Sequence, residues 1–336
     1  HVAALVEFAA RAYRRPLGED EESELRALYQ GQRDAGYSHE EAVQTTLASI
    51  LVSPHFLYRV EEPAPGHEAH PVSDFELATR LSYFLWSSLP DAELLQLAEG
   101  GGIREPGMLV GQVRRLLGDE RVRSLAVQFA TQWLDVRDFD EYDDKNGKLF
   151  PTFDAALRKA INEEAIVFFV DLFRRDGSVL EILNADHTFL DETLARHYGI
   201  PGIEGPQWRR VDEVSQYSRG GILTMASVLA KQSGASRTSP ILRGNFVLEF
   251  LLGVKLPNPP PQVPDLPEAE TDTDGLTLRE LVEKHRSQPE CATCHDKIDP
   301  FGFALEGFDT IGRAREKDMA GRPVDLHVEL PGGAKF

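Results

Sequence analysis

Apolar positions recur at helical spacing along most of the chain. Val43, Leu47, Ile50 and Leu51 stand at i, i+4, i+7 and i+8, one face of a helix that Pro54 should end. Ser73 and Glu76 have capping-box spacing, and Leu77, Leu81, Phe84 and Leu85 repeat the apolar face behind them. The spacing predicts a long helix over 154–175, with Leu157, Ile161, Ala165, Phe168 and Leu172 inward and Asp176-Gly177 as its stop. Ser178 with Glu181 offers another capping box, and Ser239 before Pro240 reads as an N-cap with proline at the first helical position. Strand signals are few, with 208–211 the candidate. The expected fold class is mainly α, a series of helical modules with few short strands.

Three stretches interrupt this periodicity: a Pro/Gly-containing run at 61–71, a Gly/Pro-punctuated region around 198–219, and LPNPPPQVPDLPEAETDTDG at 256–275. They divide the chain into an N-terminal helical module (1–62), a central helical module (71–200) and a third module (201–318). A short piece (319–336) reads as the start of a truncated C-terminal module. The Pro-rich connector 256–275 is expected to run extended over the surface.

Charge narrows the possible partners. With 36 basic against 55 acidic residues, the net charge of -19 argues against nucleic acid and against an anionic membrane surface. No run approaches the roughly 18 apolar residues of a membrane span; AIVFFVDLF, from Ala165 to Phe173, is short and broken by Asp171. The chain opens HVAALVEFAARAYRR, with neither a start methionine nor the apolar stretch of a signal peptide, and is expected to be a mature piece of an exported protein.

The chemistry lies in the chain's two cysteines. Cys291-Ala292-Thr293-Cys294-His295 is the C-x-x-C-H string of c-type haem attachment. Two thiols one helical turn apart can each form a thioether to a vinyl group of one haem c, while His295 supplies the proximal iron ligand. The alternatives are zinc, which needs four ligands where the chain has no second cysteine pair, a thioredoxin-like redox pair, which wants a strand–helix context that the proline-rich approach does not supply, and a plain disulfide, which leaves the adjacent histidine unexplained. Pro300, Phe301, Phe303, Ala304, Leu305 and Phe308 could wall an apolar haem edge or simply be core. The second nitrogen of His295 is expected to meet a backbone carbonyl near Asp299-Pro300. Met225, Met319, His285 and His327 are candidate distal ligands; core packing is the plainer reading of Met225 and an exposed loop that of Met319. Arg237 and Arg243 could hold haem propionates or make ordinary ion pairs. His187 and His197 read as satisfied polar residues. The acidic run DFDEYDDKNGK (138–148) fails as a calcium loop: with Gly147 as the loop glycine, Tyr142 and Phe153 fall on the end ligand positions, so a solvated turn is expected.

Whole strings add a resemblance. RAYRRPLGEDEESELRALY and ASILVSPHFLYR open the chain; ELATRLSYFLWSSLPDAEL, QFATQWLDVRDFD and FLDETLARHYGIP follow. RGGILTMASVLAKQSGASRTSPILRGNFVLEFLLG and CATCHDKIDPFGFALEGFDTIGRAR close it. Together they resemble the large secreted proteins of planctomycetes and myxobacteria built from tandem planctomycete-type domains of unknown function. The resemblance implies a signal peptide and another single-haem module ahead of this chain, and a further small module behind it, whose first strands GRPVDLHVELPGGAKF resembles. It fixes no methionine at Met225 or Met319 and implies no activity.

The leading expectation is a periplasmic or extracellular c-type haem protein, its haem module following the helical ones, that transfers electrons within a larger redox assembly. Its partner would be a redox protein or the additional haem module of the same precursor. A haem enzyme, peroxidase- or oxygenase-like with an open iron position, is the second reading, and a cell-surface structural or binding protein with an accessory haem the third.

Overall fold

The computed structural model describes residues 1–61, 70–257, 266–287, 289–330 and 333. They form a mainly helical protein, with a single two-stranded sheet among the described residues. Two compact units divide between Leu125 and Ala126.

In the first unit, helices Val2–Tyr13, Glu19–Asp34 and His39–Val52 surround Ala9, Ala12, Leu25 and Ile50. The helix expected before Pro54 ends at Val52. Arg14, at φ 62°, closes the first helix, and its buried guanidinium donates to the carbonyls of Ala12, His55 and Tyr58, which fastens the chain beyond Pro54. Helices Asp74–Trp86, Ala92–Glu99 and Pro106–Gly118 follow. The expected capping box opens the first of these: Glu76 N–H donates to Ser73 Oγ, and Ser73 N–H to Glu76 Oε2. Trp86 Nε1 donates to the Leu116 carbonyl at 2.9 Å.

The second unit is built on helix Ala155–Arg174, which Asp154 caps by accepting from Leu157 N–H at 2.8 Å. Leu157, Ile161, Ala165, Phe168 and Leu172 are buried as the spacing predicts. Ala160, Glu164 and Phe169 are buried too, so the helix is enclosed on more than one side. One apolar cluster gathers Phe168, Phe169, Met225 and Phe246, and another Ile161, Leu194, Ala230 and Ile311. Strands β1 (His187–Leu190) and β2 (Arg209–Asp212) pair antiparallel, His187 opposite Asp212 and Leu190 opposite Arg209. The sequence signalled only the second. All four residues of β1 are buried, so the alternation that marks a half-exposed strand is absent.

The sheet joins residues on either side of residue 200, and both clusters draw on both sides, so 126–336 is one unit. The stretch 71–200 therefore contributes to both units. Near the end of the described chain Val328 packs with Val282 and Phe303. Residues 258–265 of the Pro-rich connector lie outside the described residues. Its remaining end departs from the expected surface course: Glu270 is buried with both carboxylate oxygens accepting from Arg315, at 2.8 and 3.0 Å, and Thr273 is buried with its hydroxyl accepting from Arg322 at 2.8 Å.

One buried acid gives this unit a pH signature. Glu164 is enclosed in the core, accepting from Thr188 Oγ1 at 2.7 Å and from Tyr198 Oη at 2.5 Å, and Tyr198 Oη accepts in turn from Ala226 N–H at 2.9 Å. Burial pushes Glu164 up to about 7, against 4.5 for the free side chain. Between those values the folded protein holds a proton that the unfolded chain has lost, so this group's contribution falls as pH rises. Burial of His197, lowered to about 4 from 6.5, acts with the opposite sign over a similar range. We therefore expect Glu164→Gln to gain stability relative to the parent as pH rises from 4.5 to 7, by up to about 3 kcal/mol. Urea unfolding at several pH values reads this difference; a constant offset would contradict it.

Candidate functional site

Thr277 and Glu280 form a capping box that opens helix Leu278–His285, and after a turn at Arg286 and Ser287 the chain enters helix Pro289–Ala304, the cysteine helix. Cys291 and Cys294 stand one turn apart on it as half-buried free thiols. His295 is buried, and its Nδ1 lies 2.8 Å from Asp299 Oδ1. With the carboxylate as acceptor, Nδ1 carries the proton and Nε2 the lone pair of the neutral ring. Nε2 has no hydrogen bond among the described residues. The expectation of a backbone carbonyl partner near Asp299-Pro300 is thus corrected: the partner is the Asp299 side chain. The helix continues through Pro300 to Ala304, so the carbonyls here run along its axis, whereas a side chain at i+4 shares the face of His295. Arg286 donates to the other Asp299 oxygen at 3.4 Å, and the His285 ring packs edge-on against His295 at 5.2 Å.

Two glycines set the course of the cysteine helix. It crosses helix Pro240–Phe246, opened by the expected Ser239 cap, so closely that backbones touch. A Cβ on Gly302 would lie 1.9 Å from the Pro240 carbonyl oxygen, and one on Gly244 would lie 2.1 Å from that of Ile298. At the C-terminal end of the cysteine helix, Arg243 donates to the carbonyls of Leu305, Phe308 and Asp309 at 2.7, 2.9 and 2.8 Å, and to Glu306 Oε1 at 3.3 Å. Glu306 also accepts from Thr238 Oγ1 and Arg315 Nη2, at 2.6 and 2.9 Å. Arg315 continues to Glu270. Two arginines and two glutamates thus balance in the interior, and burial pulls Arg243 down only to about 10, which keeps it protonated at neutral pH.

The remaining candidates are dispersed. Arg243 spends its terminal nitrogens on protein acceptors, and Arg237 donates to the carbonyls of Pro267 and Thr238, so both arginines fasten loops. Half-buried Pro300 lies inside the cysteine helix; Phe301 and Leu305 pack on the larger apolar cluster, while Phe303 and Ala304 pack toward Val282 and Val328. Phe308 is buried, with the Arg219 guanidinium 5.1 Å from its ring. The aromatic residues after the motif therefore serve the core on two sides of the helix. Met225 sits in the cluster with Phe168 and Phe246, and Met319 is exposed, its N–H donating to Glu270. His327 pairs with Asp325 on the surface. Of the four candidate distal ligands, His285 is the one whose ring touches His295. His197 donates to the Ile311 carbonyl, whereas buried His187 stacks on Phe168 with its Nε2 unpartnered among the described residues. The acidic run 138–148 is more than a solvated turn, since Lys145 is buried and donates to the carbonyls of Ser233 and Gly234.

Sequence reading missed Asp299, Arg286, Glu270, Glu306 and Arg315 as parts of this region. Asp299 alone carried a usable signal, its i+4 spacing from His295. The donor set fits a c-type haem: two free thiols one turn apart, and an imidazole whose Nδ1 is held and whose Nε2 is available. Among the described residues no group of three or more His, Cys, Asp and Glu side chains is placed to hold a bare metal ion.

Both supports of the cysteine helix can be tested by chemical denaturation. Gly302→Ala must push two backbones apart and should lower stability by about 1–3 kcal/mol or more. Gly111→Ala, in a helix where the added methyl meets nothing within 4 Å, should be neutral or gain, by about 0.5–1 kcal/mol. Equal effects would dismiss the close crossing as a constraint. Arg243→Met leaves Glu306 short of a buried partner and should lower stability by roughly 3–5 kcal/mol; a loss below about 1 kcal/mol, the scale of an exposed pair, would show the buried cluster to be dispensable.

Comparison with known families divides the chain in three. Residues 3–61 match PSD5, a protein of unknown function (DUF1595); residues 72–200 match PSD4, a protein of unknown function (DUF1592); and residues 219–318 match PSCyt3, a protein of unknown function (DUF1588). No curated protein and no solved structure matches the chain. Three matches to planctomycete-type domains of unknown function therefore run in tandem, and the third spans Cys291, Cys294 and His295.

Proposed function

We propose that the chain is an exported c-type haem protein that passes single electrons within a larger redox assembly. The observation that carries this reading is the arrangement on one helix of two free thiols and a buried imidazole whose Nδ1 is held by Asp299. Cys291 and Cys294 would tether one haem c, each thiol adding its sulfur and hydrogen across one vinyl double bond with nothing released. His295 would bind the iron through Nε2. The group would supply a one-electron iron couple. The chain's own residues orient the ring, through Asp299, and fix the helix, through Gly302, Gly244 and Arg243. The match of 219–318 to a cytochrome-c-related family supports the same reading. No helix among the described residues is long and apolar enough to cross a membrane. The partner we envisage is a second haem module of the same precursor or a separate redox protein, met in the periplasm or outside the cell.

The test is expression in a host that matures c-type cytochromes, followed by denaturing electrophoresis and haem staining. The protein should keep a stained band, and Cys291→Ala with Cys294→Ala should lose it. A parent band without haem, or with stoichiometric zinc, would overturn the reading.

A further inference from the structure

The Asp299 carboxylate is placed to do more than hold a ring. Its side chain is 1 % exposed. It is clamped from both sides: Oδ1 accepts from His295 Nδ1 at 2.8 Å, and Oδ2 from Arg286, the residue that caps helix Leu278–His285, at 3.4 Å. One turn of helix brings Asp299 under His295, because side chains lean toward the N-terminus and so meet at i and i+4. A buried carboxylate draws the Nδ1 proton toward itself more strongly than a neutral carbonyl would. The ring's electron density moves to Nε2, which becomes a stronger donor to a metal bound there. A stronger donor favours the oxidised, more positive metal.

From this geometry we propose that Asp299 is a positioning residue that lowers the reduction potential of the haem iron, acting through His295, and so makes the site an electron donor poised at low potential. The inference rests on the haem reading above. Neighbouring Asp296 supplies the control. It lies on the same helix, 3.6 Å from the same Arg286, but its side chain is 68 % exposed and has no bond to His295 among the described residues.

The experiment measures reduction potentials of the full chain and of Asp299→Asn and Asp296→Asn by spectroelectrochemistry, each first checked for covalent haem. Asp299→Asn should raise the ratio of reduced to oxidised protein at a fixed potential by at least about tenfold, which is about 59 mV for one electron. Asp296→Asn should change it by less than about threefold, since an exposed charge is screened. Haem-loaded variants with equal shifts would reduce the effect to net charge and overturn the role of the hydrogen bond, while leaving the haem reading intact. A parent without covalent haem would overturn both. If Asp299→Asn does not mature, nitrogen-15 NMR of the reduced parent decides. A strongly downfield, slowly exchanging Nδ1 proton on His295 supports the proposal, and an ordinary, fast-exchanging one overturns it.

Discussion

Everything at the candidate site depends on where the cysteine helix lies, and that is settled where its backbone meets the backbone of helix Pro240–Phe246. Helix axes ordinarily pack 8–10 Å apart, separated by side chains. Here Gly302 faces the Pro240 carbonyl and Gly244 faces that of Ile298, with no room for a methyl group at either. Because the contact involves no rotatable side chain, it has little slack. His295 and Asp299 lie within two turns of Gly302 on the same helix, so they inherit this placement. Pro300 would ordinarily weaken a helix from within by removing a donor; the contacts at Ile298 and Gly302 brace the helix on both sides of it.

The second constraint is electrostatic. A chain with a net charge of -19 carries its acidity mostly on the surface, yet Glu270 and Glu306 are buried beside Arg243 and Arg315. Charges out of water are tolerated when each is paired and hydrogen-bonded, and are then hard to remove singly. This cluster joins four separate stretches: the connector's end, the start of helix Pro240–Phe246, the residues just past the cysteine helix, and the loop at Arg315. Packing fixes the helix along its length, and the charge cluster fixes its C-terminal end.

What the sequence disclosed divides along the range of the interactions. Ser73 with Glu76 and Ser239 with Leu242 act within one turn, and both of these predicted caps are present; the box expected of Ser178 and Glu181 is only half formed, because Ser178 N–H donates to Glu181 Oε1 while Ser178 Oγ accepts from Leu180 N–H instead of Glu181 N–H. The attachment string is contiguous and readable as it stands. Arg243 drew attention for its chemistry, but its partners Leu305, Phe308 and Asp309 are more than sixty residues away, and nothing local announces them. Glu270 looked like solvated linker because proline and acid surround it; only Arg315 explains its burial. Strand β1 was hidden by complete burial, and the union of 126–200 with the rest of the second unit by the pairing of that strand. Asp299 was visible by spacing, but its side chain was passed over for the neighbouring carbonyl.

The close backbone supports of the cysteine helix lie in its second half or just beyond it, at Ile298, Gly302, Leu305 and Glu306, while the side chains of His285 and Arg286 meet its first half at His295 and Asp296. The turn bearing Cys291 and Cys294 comes before the close crossing, its thiols half-buried. If a haem is joined to those thiols, as proposed above, the bonds form about two to three helical turns away from the backbone crossing at Gly302.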